Sequence, residues 1–357
     1  MNIKPRCTAT AVGSLPHLDP AQAIAVIFNA IPRAPIWPQL SKLGLREQME
    51  IQYSEGLPRV VIDEAKSRMF FDTSGDCSED LARFYESYLA AEESGDYSVA
   101  AISPEYSHGI LALEAKLKTL GRRLPFVKLQ VTGPLSIALT VVDENKRAIY
   151  YNEEFVDPIV KGMAMKARWQ IQKFKPYAET VICFIDEPIL AAFGSSTYVS
   201  VQRGDVIGKL SEIIQAIHAE GALAGVHCCG NTEWSLLVDA GVDIINVDAF
   251  EYGETIALYP APMKTHLVER KNAIAYGVIP TSKAIREQSV GSLVAHFEKV
   301  TAHLAEKTGI SLPVILEQAF ITPSCGTGTL EIPDAERVFQ LLGETCTALQ
   351  RKYGFSS

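Results

Sequence analysis

About two-thirds of the way along the chain, an apolar run ends in the stretch Leu223-Ala224-Gly225-Val226-His227-Cys228-Cys229-Gly230-Asn231-Thr232. Its first half has the length and composition of a buried strand, and the Gly-Asn pair that follows is typical of a turn. A helical pattern then runs from Thr232 to Ala240. The stretch is therefore one strand–loop–helix unit whose loop carries a histidine and two cysteines.

The same alternation of strand and helix recurs along most of the chain. Eight segments have the β-branched, apolar composition of strands, at residues 8–12, 97–103, 126–131, 181–185, 223–227, 243–247, 273–278 and 314–318. Helical patterns separate most of them, for example at 155–177, 204–219 and 289–307. Because this alternation requires parallel pairing, eight units predict an α/β protein with one closed (β/α)8 TIM barrel.

The domain prediction follows from the same pattern. Residues 31–96 are the least regular part, and Pro32, Pro35 and Pro38 make their beginning extended. No linker rich in Pro, Gly or Ser divides the chain. We therefore expect residues 1–357 to form a single TIM-barrel domain, with 31–96 as an insertion that elaborates the first βα unit. An open doubly wound sheet is the alternative, but no Gly-x-Gly-x-x-Gly follows the first strand.

Composition and charge exclude several classes of protein. The 47% hydrophobic and 21% charged residues are those of a globular chain with a large core. A net charge of −9 argues against a nucleic-acid surface, which needs a basic patch. The apolar runs are strand-sized, too short for a membrane span, and Met1–Arg6 lacks the apolar region of a secretory signal. Seven cysteines without a disulfide-like spacing then indicate a reducing, cytoplasmic setting.

The loop after residue 226 has the chemistry of a metal site. His227 and Cys229 are two residues apart at a strand end, so their side chains point to the same face, whereas Cys228 points away. Cys325 ends another apolar run, in a loop with Gly326. Histidine and thiolate are ligands that zinc prefers, and three of them leave a position open for a substrate. The alternative, a buried histidine and cysteines that only fill the core, stays open.

A barrel predicts where the other functional groups belong. In this fold, catalytic groups lie in the loops after the strands. Polar residues follow six of the predicted strands: Gly13-Ser14, Thr132-Gly133, Asp186-Glu187, His227-Cys229, Asp248 and Cys325. Strand-end polar residues also act as turns and helix caps, so each one alone has a purely structural alternative.

At these residues the sequence resembles the C-terminal catalytic domain of cobalamin-independent methionine synthase. That domain belongs to the superfamily that includes uroporphyrinogen decarboxylase and the methylcobalamin:coenzyme M methyltransferases. The resemblance spans essentially the whole chain and rests on six motifs: Val12-Gly13-Ser14-Leu15-Pro16, Thr132-Gly133-Pro134, Ile185-Asp186-Glu187-Pro188, His227-Cys228-Cys229, Asn246-Val247-Asp248 and Thr322-Pro323-Ser324-Cys325-Gly326. The His-x-Cys motif with a distant Cys-Gly is typical of the thiol-alkylating members.

The resemblance implies roles for individual residues. His227, Cys229 and Cys325 match the zinc ligands, and Asp248 stands where the family has a glutamate ligand. Val12, Gly13 and Ser14 match a backbone segment that contacts the substrate amino acid. Asp186 matches a carboxylate that engages the substrate's ammonium group, although a capping or ion-pair role is equally compatible with its position.

The expected function is zinc-dependent transfer of a methyl group to a small thiol, above all homocysteine, which gives methionine. Relative to the family, the chain lacks a second N-terminal barrel, and residues 277–282 carry no histidine where the family has one. The methyl donor is therefore expected to be a methylated corrinoid, often protein-bound, or a folate. The alternatives are a coenzyme M methyltransferase, a metal-free decarboxylase that acts on a tetrapyrrole, and a non-catalytic corrinoid- or metal-binding protein.

Overall fold

The structure is a computed structural model that describes residues 3–355. Its strands are β1 (Thr8–Ala9), β2 (Val60–Asp63), β3 (Arg68–Phe71), β4 (Leu124–Thr132), β5 (Val142–Asp143), β6 (Ala178–Asp186), β7 (Leu223–Cys228), β8 (Ile244–Val247), β9 (Ala273–Ile279) and β10 (Ala319–Pro323). Its α-helices are α1 (Pro20–Ala30), α2 (Met49–Gln52), α3 (Ser78–Ser94), α4 (His108–Leu120), α5 (Pro134–Thr140), α6 (Glu153–Phe174), α7 (Arg203–Ala219), α8 (Trp234–Ala240), α9 (Pro260–Lys264), α10 (Val290–Thr308), α11 (Leu312–Glu317) and α12 (Ile332–Lys352).

The main sheet confirms the predicted α/β barrel class. Seven strands, all parallel, lie in the order β1-β10-β9-β8-β7-β6-β4, with helices around them. Parallel strands need crossover connections, which the helices between them supply. A separate three-stranded sheet joins the β2–β3 hairpin to β5. That hairpin lies within residues 31–96, which the sequence indicated to be the least regular part of the chain.

An extended segment, residues 33–39, lies between β1 and β4. The amide of Lys128 donates to Pro35 O at 2.9 Å on one side, and the amide of Gln39 donates to Gly13 O at 3.0 Å on the other. Single parallel bridges accompany these bonds. The predicted strand at 97–103 is wrong, because Ser98–Ala100 form a 3₁₀ turn. The sequence predicted that this segment is extended but not that it borders β1 and β4. Its prolines cannot donate to a ladder, so a Pro-rich run lacks the sequence pattern of a strand.

The last predicted strand is displaced along the chain. Residues 314–318 were expected to be a strand, but Leu312–Glu317 form a helix and the strand is Ala319–Pro323. The helix begins after extended Ser311 and has Pro313 in its first turn, which is a favoured start. The apolar run Val314–Leu316 therefore belongs to a short helix that buries Ile315 and Leu316, and a short apolar run alone does not distinguish such a helix from a strand.

The barrel interior has an apolar layer at its N-terminal end. Its buried side chains are Ile3, Ile182, Phe184, Leu223, Ile244, Ala273, Ala275 and Phe320. Gly225 fits here because a Cβ at this position would lie 2.2 Å from the Phe184 ring. Because side chains alternate along a strand, the residues that follow two positions later on β6 and β8 are Asp186 and Asn246, which face the same interior one layer higher.

Within residues 3–355, no helix combines the length and the apolar composition needed to cross a membrane. The cytoplasmic setting stays a prediction from cysteine usage. The description of residues 31–96 as an insertion in one domain also stays a prediction, with 33–39 lying along the barrel wall.

Candidate metal centre

The structure brings His227, Cys229 and Cys325 together. One ligand atom from each residue lies within 4.8 Å of the other two. His227 is buried on β7, Cys229 follows the end of that strand, and Cys325 follows β10. The two cysteines are half-buried. The three donors thus converge at the C-terminal end of the barrel, with the nitrogen and sulfur chemistry that zinc prefers.

The orientation of His227 is fixed by Asn246 on the neighbouring strand. Nδ1 of His227 lies 2.7 Å from Oδ1 of Asn246. The Asn246 amide donates through Nδ2 to Ala275 O and to Thr322 Oγ1, both at 2.9 Å, so its Oδ1 is left to accept. Nδ1 therefore carries the proton, and Nε2 presents a lone pair.

The free nitrogen of His227 tests whether a metal fits. Among the described residues, Nε2 is buried and has no hydrogen-bond partner. A buried nitrogen left in this way costs about 1–3 kcal/mol unless something binds it. A metal held also by the two sulfurs would satisfy the lone pair, and the Asn246 contact is the kind of hydrogen bond that usually orients a metal-ligating histidine. The residues present therefore fit a zinc ion.

The two thiols influence each other. Cys325, as a hydrogen-bonding partner, lowers the pKa of Cys229, and His227 acts in the same direction. The same interaction with Cys229 raises the pKa of Cys325, and burial adds to it. This interaction therefore favours the thiolate form, which metals bind, at Cys229 over Cys325.

Cys228 lies outside the site, as its position on the strand predicts. It is fully buried, its thiol faces Gly230 O at 3.5 Å, and burial raises its pKa to about 12. Alternation along β7 places His227 on the barrel interior and Cys228 on the side of the surrounding helices.

The loop that carries Cys325 is anchored on both sides. Before it, the backbone register shifts at Thr322/Pro323, and the Ser324 amide donates to Ile279 O at 2.8 Å. After it, Gly326 and Gly328 pack on Ser14, whose hydroxyl would be 2.0 Å from a Cβ at residue 326. The sequence therefore needs glycine at 326 so that this loop can approach the loop after β1.

Asp248 does not belong to the group of three ligand atoms. Its Oδ1 accepts from the amides of Phe250 and Glu251, at 3.1 and 3.0 Å, so it caps the turn after β8. Burial raises its pKa to about 6, and the nearby His227 opposes that shift. Its role as a metal ligand stays a prediction. Oδ2 is the oxygen available for that role, because Oδ1 already accepts two hydrogen bonds.

Two adjacent carboxylates at the end of β6 have different surroundings. Asp186 pairs in register with His227, and its Oδ1 is buried without a partner among the described residues. Burial raises the pKa of Asp186, while Lys128 and His227 oppose the shift. Glu187 instead accepts from the amides of Leu135 and Ser136, at 2.9 and 2.8 Å. Asp186 is therefore open to a ligand, and Glu187 caps α5.

The predicted substrate segment, Val12–Ser14, lies at the rim of the site. Its carbonyls are already occupied: Val12 O accepts from the Lys128 ammonium, Gly13 O from the Gln39 amide and Ser14 O from Thr327. The amides of Gly13 and Ser14 are the groups of this segment that remain for a substrate. Contact with the substrate stays a prediction.

Sequence reasoning missed the residues that support the site. Asn246 and Lys128 were not predicted to act, although both lie on inward-facing strand positions. The signal for Asn246 was its position two residues before Asp248, on the same face of one strand. Its contact with His227 also needs the register between β7 and β8, which no single strand shows.

Comparisons with known proteins place the chain by its fold. No family model and no curated protein matches it. A B12-independent methionine synthase from Shewanella sp. W3-18-1, solved with selenomethionine, matches with a TM-score of 0.52 and 12% identity, over 98% of this chain and 99% of that chain. At this identity the likeness establishes a shared fold.

Two other structures are more distant. A GH5 cellulase affiliated with Bacteroidetes has a TM-score of 0.42 and 13% identity, over 71% of this chain and 79% of that chain. ZgEngAGH5_4, in complex with a cellotriose, has a TM-score of 0.38 and 15% identity, over 67% of this chain and 78% of that chain. Neither score is high enough to bear on function, which has to be argued from the site.

Proposed function

We propose that the chain is a zinc-dependent methyltransferase that moves a methyl group to a small thiol, above all homocysteine, to give methionine. The observation that carries the proposal is the convergence of His227, Cys229 and Cys325, together with a buried Nε2 of His227 that has no partner within residues 3–355. The full-length likeness in fold to a B12-independent methionine synthase supports it.

In this proposal, His227 Nε2, Cys229 Sγ and Cys325 Sγ hold the zinc, with Asp248 as a possible fourth protein ligand. When bound, zinc lowers the pKa of a substrate thiol and keeps the sulfur in its nucleophilic, thiolate form. The thiol proton goes to solvent. The sulfur then forms a bond to the methyl carbon while the bond from that carbon to the donor breaks, and its electron pair leaves with the donor.

The remaining residues orient the substrate. The unpartnered Oδ1 of Asp186 lies on the strand next to His227 and suits the ammonium group of an amino-acid thiol. A sulfonate thiol such as coenzyme M would meet this carboxylate with like charge, so the site favours homocysteine. The proposed donor is a methylated corrinoid, free or protein-bound, or a methylfolate.

The first test is metal content, measured by elemental analysis on wild-type protein, Cys325→Ser and Cys228→Ser. We expect about one zinc per chain in the wild type and in Cys228→Ser, since Cys228 faces away from the site, and little zinc in Cys325→Ser. The three proteins are then assayed for homocysteine methylation with methylcobalamin and with methyltetrahydrofolate. Methyl transfer that persists at the wild-type rate without metal would contradict the proposal, as would a wild type that binds no zinc when zinc is offered.

A further inference from the structure

The barrel interior holds a lysine that the proposed chemistry does not use. Lys128 lies on β4 and is fully buried. Its ammonium donates to Val12 O and lies 3.3 Å from Gln130 Oε1 and 4.6 Å from the centre of the Phe184 ring. Burial lowers its pKa to about 8, and the negative charge of Asp186 opposes that shift. At neutral pH the group is therefore a protonated donor.

The acceptors around Lys128 are themselves fixed. Gln130 donates through Nε2 to Trp37 O at 3.1 Å, which turns its Oε1 toward the ammonium. The side-chain amide of Gln170 and the hydroxyl of Tyr53 donate to the backbone carbonyl of Gln130, at 3.0 and 2.8 Å. A donor held in one place by a buried network acts as a rigid anchor for whatever it binds.

What Lys128 anchors is the start of the loop after β1, and the loop with Cys325 is docked on that loop. Ser14, two residues after Val12, accepts from the Thr327 amide at 2.8 Å and from its hydroxyl at 2.9 Å. The Gly328 amide donates to the Ser14 hydroxyl at 3.2 Å. Thr327 is two residues after Cys325, so a continuous set of contacts runs from the barrel interior to the loop that carries the Cys325 sulfur.

We propose that Lys128 is a positioning residue for the metal centre: by holding the Val12 carbonyl it fixes the loop on which Ser14 docks Thr327, and thereby places the Cys325 sulfur. Lys128 binds neither metal nor substrate in this inference, which rests on the proposed zinc site. Of the other two ligands, His227 lies on β7 and is supported independently by Asn246, and Cys229 directly follows that strand. Loss of the anchor should therefore affect Cys325 and leave His227 and Cys229 in place.

The experiment compares Lys128→Met with Lys166→Met. Lys166 is the matched control because it is also a fully buried lysine, but it lies on α6, where its ammonium is 3.5 Å from Ala100 O. Zinc affinity is measured by competition with a chromophoric chelator, and cobalt(II) replaces zinc as a spectroscopic probe. We expect zinc affinity to fall about tenfold in Lys128→Met and to be unchanged in Lys166→Met.

The cobalt spectrum separates positioning from a general loss of stability. Displacement of Cys325 should weaken the thiolate-to-cobalt charge-transfer band in Lys128→Met, whereas a protein that is merely less stable keeps the wild-type spectrum while folded. Thr327→Val should also lower zinc affinity. Thr327→Ser keeps the hydroxyl, so its zinc affinity should be close to that of the wild type. In the double variant that combines Lys128→Met with Thr327→Val, the fold-decrease in zinc affinity should be smaller than the product of the two single decreases. The reason is that both substitutions break the same set of contacts.

The outcomes separate the two proposals. A wild type without zinc overturns the proposed function, and this inference with it. A wild type that binds zinc, beside a Lys128→Met that binds it with equal affinity and an unchanged cobalt spectrum, overturns this inference alone. If Lys128→Met does not fold, the comparison of Thr327→Val with Thr327→Ser decides in its place, and equal affinity in those two variants overturns the inference.

Discussion

The two layers inside the barrel are built by the same strands and do different work. In the N-terminal layer, Phe184 and Ile244 pack with Phe320 as part of an apolar cluster. One layer higher, the corresponding positions on β6 and β8 are Asp186 and Asn246, and hydrogen bonds replace apolar packing. A shift of two residues along a strand keeps the side chain on the same face, so one strand can serve both layers.

This difference indicates that stability and the proposed ligand binding are separated by depth in the barrel. The lower layer is closed and apolar, so its contribution is burial. The upper layer leaves two buried polar atoms without partners, Nε2 of His227 and Oδ1 of Asp186, among the described residues. Such atoms destabilise a protein unless a ligand binds them, which is how a binding site differs from a core. Substitutions in the two layers should therefore have different consequences.

The largest predicted change is a loss of folding stability, and it should come from a substitution in the lower layer. Phe320 is fully buried, and its ring makes an edge contact with Phe126 at 5.5 Å between centroids. We expect Phe320→Ala to lower the free energy of unfolding by about 3–5 kcal/mol, because a large cavity opens in a closed layer. Urea unfolding measures the loss. Zinc affinity of the folded variant should be unchanged, and a large drop in affinity would show that the layers are not separate.

The next largest predicted change is a loss of zinc affinity, and it should come from a substitution in the upper layer. Asn246→Ala leaves Nδ1 of His227 without its acceptor and Thr322 without its donor. We expect zinc affinity to fall about 10- to 100-fold, since the partner that orients a metal-ligating histidine is lost. Chelator competition measures it.

A matched control for Asn246 lies at the other end of the barrel. Asn272 is also buried and donates to Val242 O at 2.9 Å, just before β9 begins. Asn272→Ala should cost stability, about 1–3 kcal/mol, and leave zinc affinity unchanged. Equal loss of affinity in the two variants would mean that Asn246 acts only through overall stability.

The wall made by β7 and β8 could be predicted from the sequence. Both are regular strands, so the two-residue period placed His227 and Cys229 on one face, and the structure joins them to Cys325. Cys325 was identified from its position after an apolar run and next to Gly326, although the strand itself was misplaced. The true strand, Ala319–Pro323, ends closer to Cys325 than the predicted one. The fold class was predictable for the same reason, since strand–helix alternation is a local property.

The contacts that complete the site could not be predicted. Residues distant in sequence hold the segment 33–39 beside β1 and β4. Because of its prolines, the segment lacks the sequence pattern of a strand. The bond from Asn246 to His227 depends on register, and the bond from Lys128 to Val12 O depends on which strands meet across the barrel. These are tertiary facts, and one sequence contains no direct signal for them.

The smallest effect at neutral pH should come from a buried charge outside both layers. Lys166 lies on α6, and among residues 3–355 its ammonium has one long hydrogen bond, to Ala100 O. Burial lowers its pKa to about 8, and the charge of Glu55 opposes that shift. Because the unfolded state, with a pKa near 10.5, binds the proton more tightly, stability should rise with pH between about 8 and 10.5. At pH 7 both states are charged, and the folded protein bears the full penalty of the buried ammonium.

Lys166→Met removes that penalty and keeps most of the length of the side chain. We expect the variant to be as stable as the wild type at pH 7, or more stable by up to about 3 kcal/mol, because a poorly paired buried charge is replaced by an apolar group. The difference should shrink at pH 9.5, where the wild-type lysine is largely neutral in the folded state. Urea unfolding at the two pH values measures both quantities. A variant that is less stable at pH 7, by an amount that does not change with pH, would mean that the ammonium has a partner which stabilises the fold.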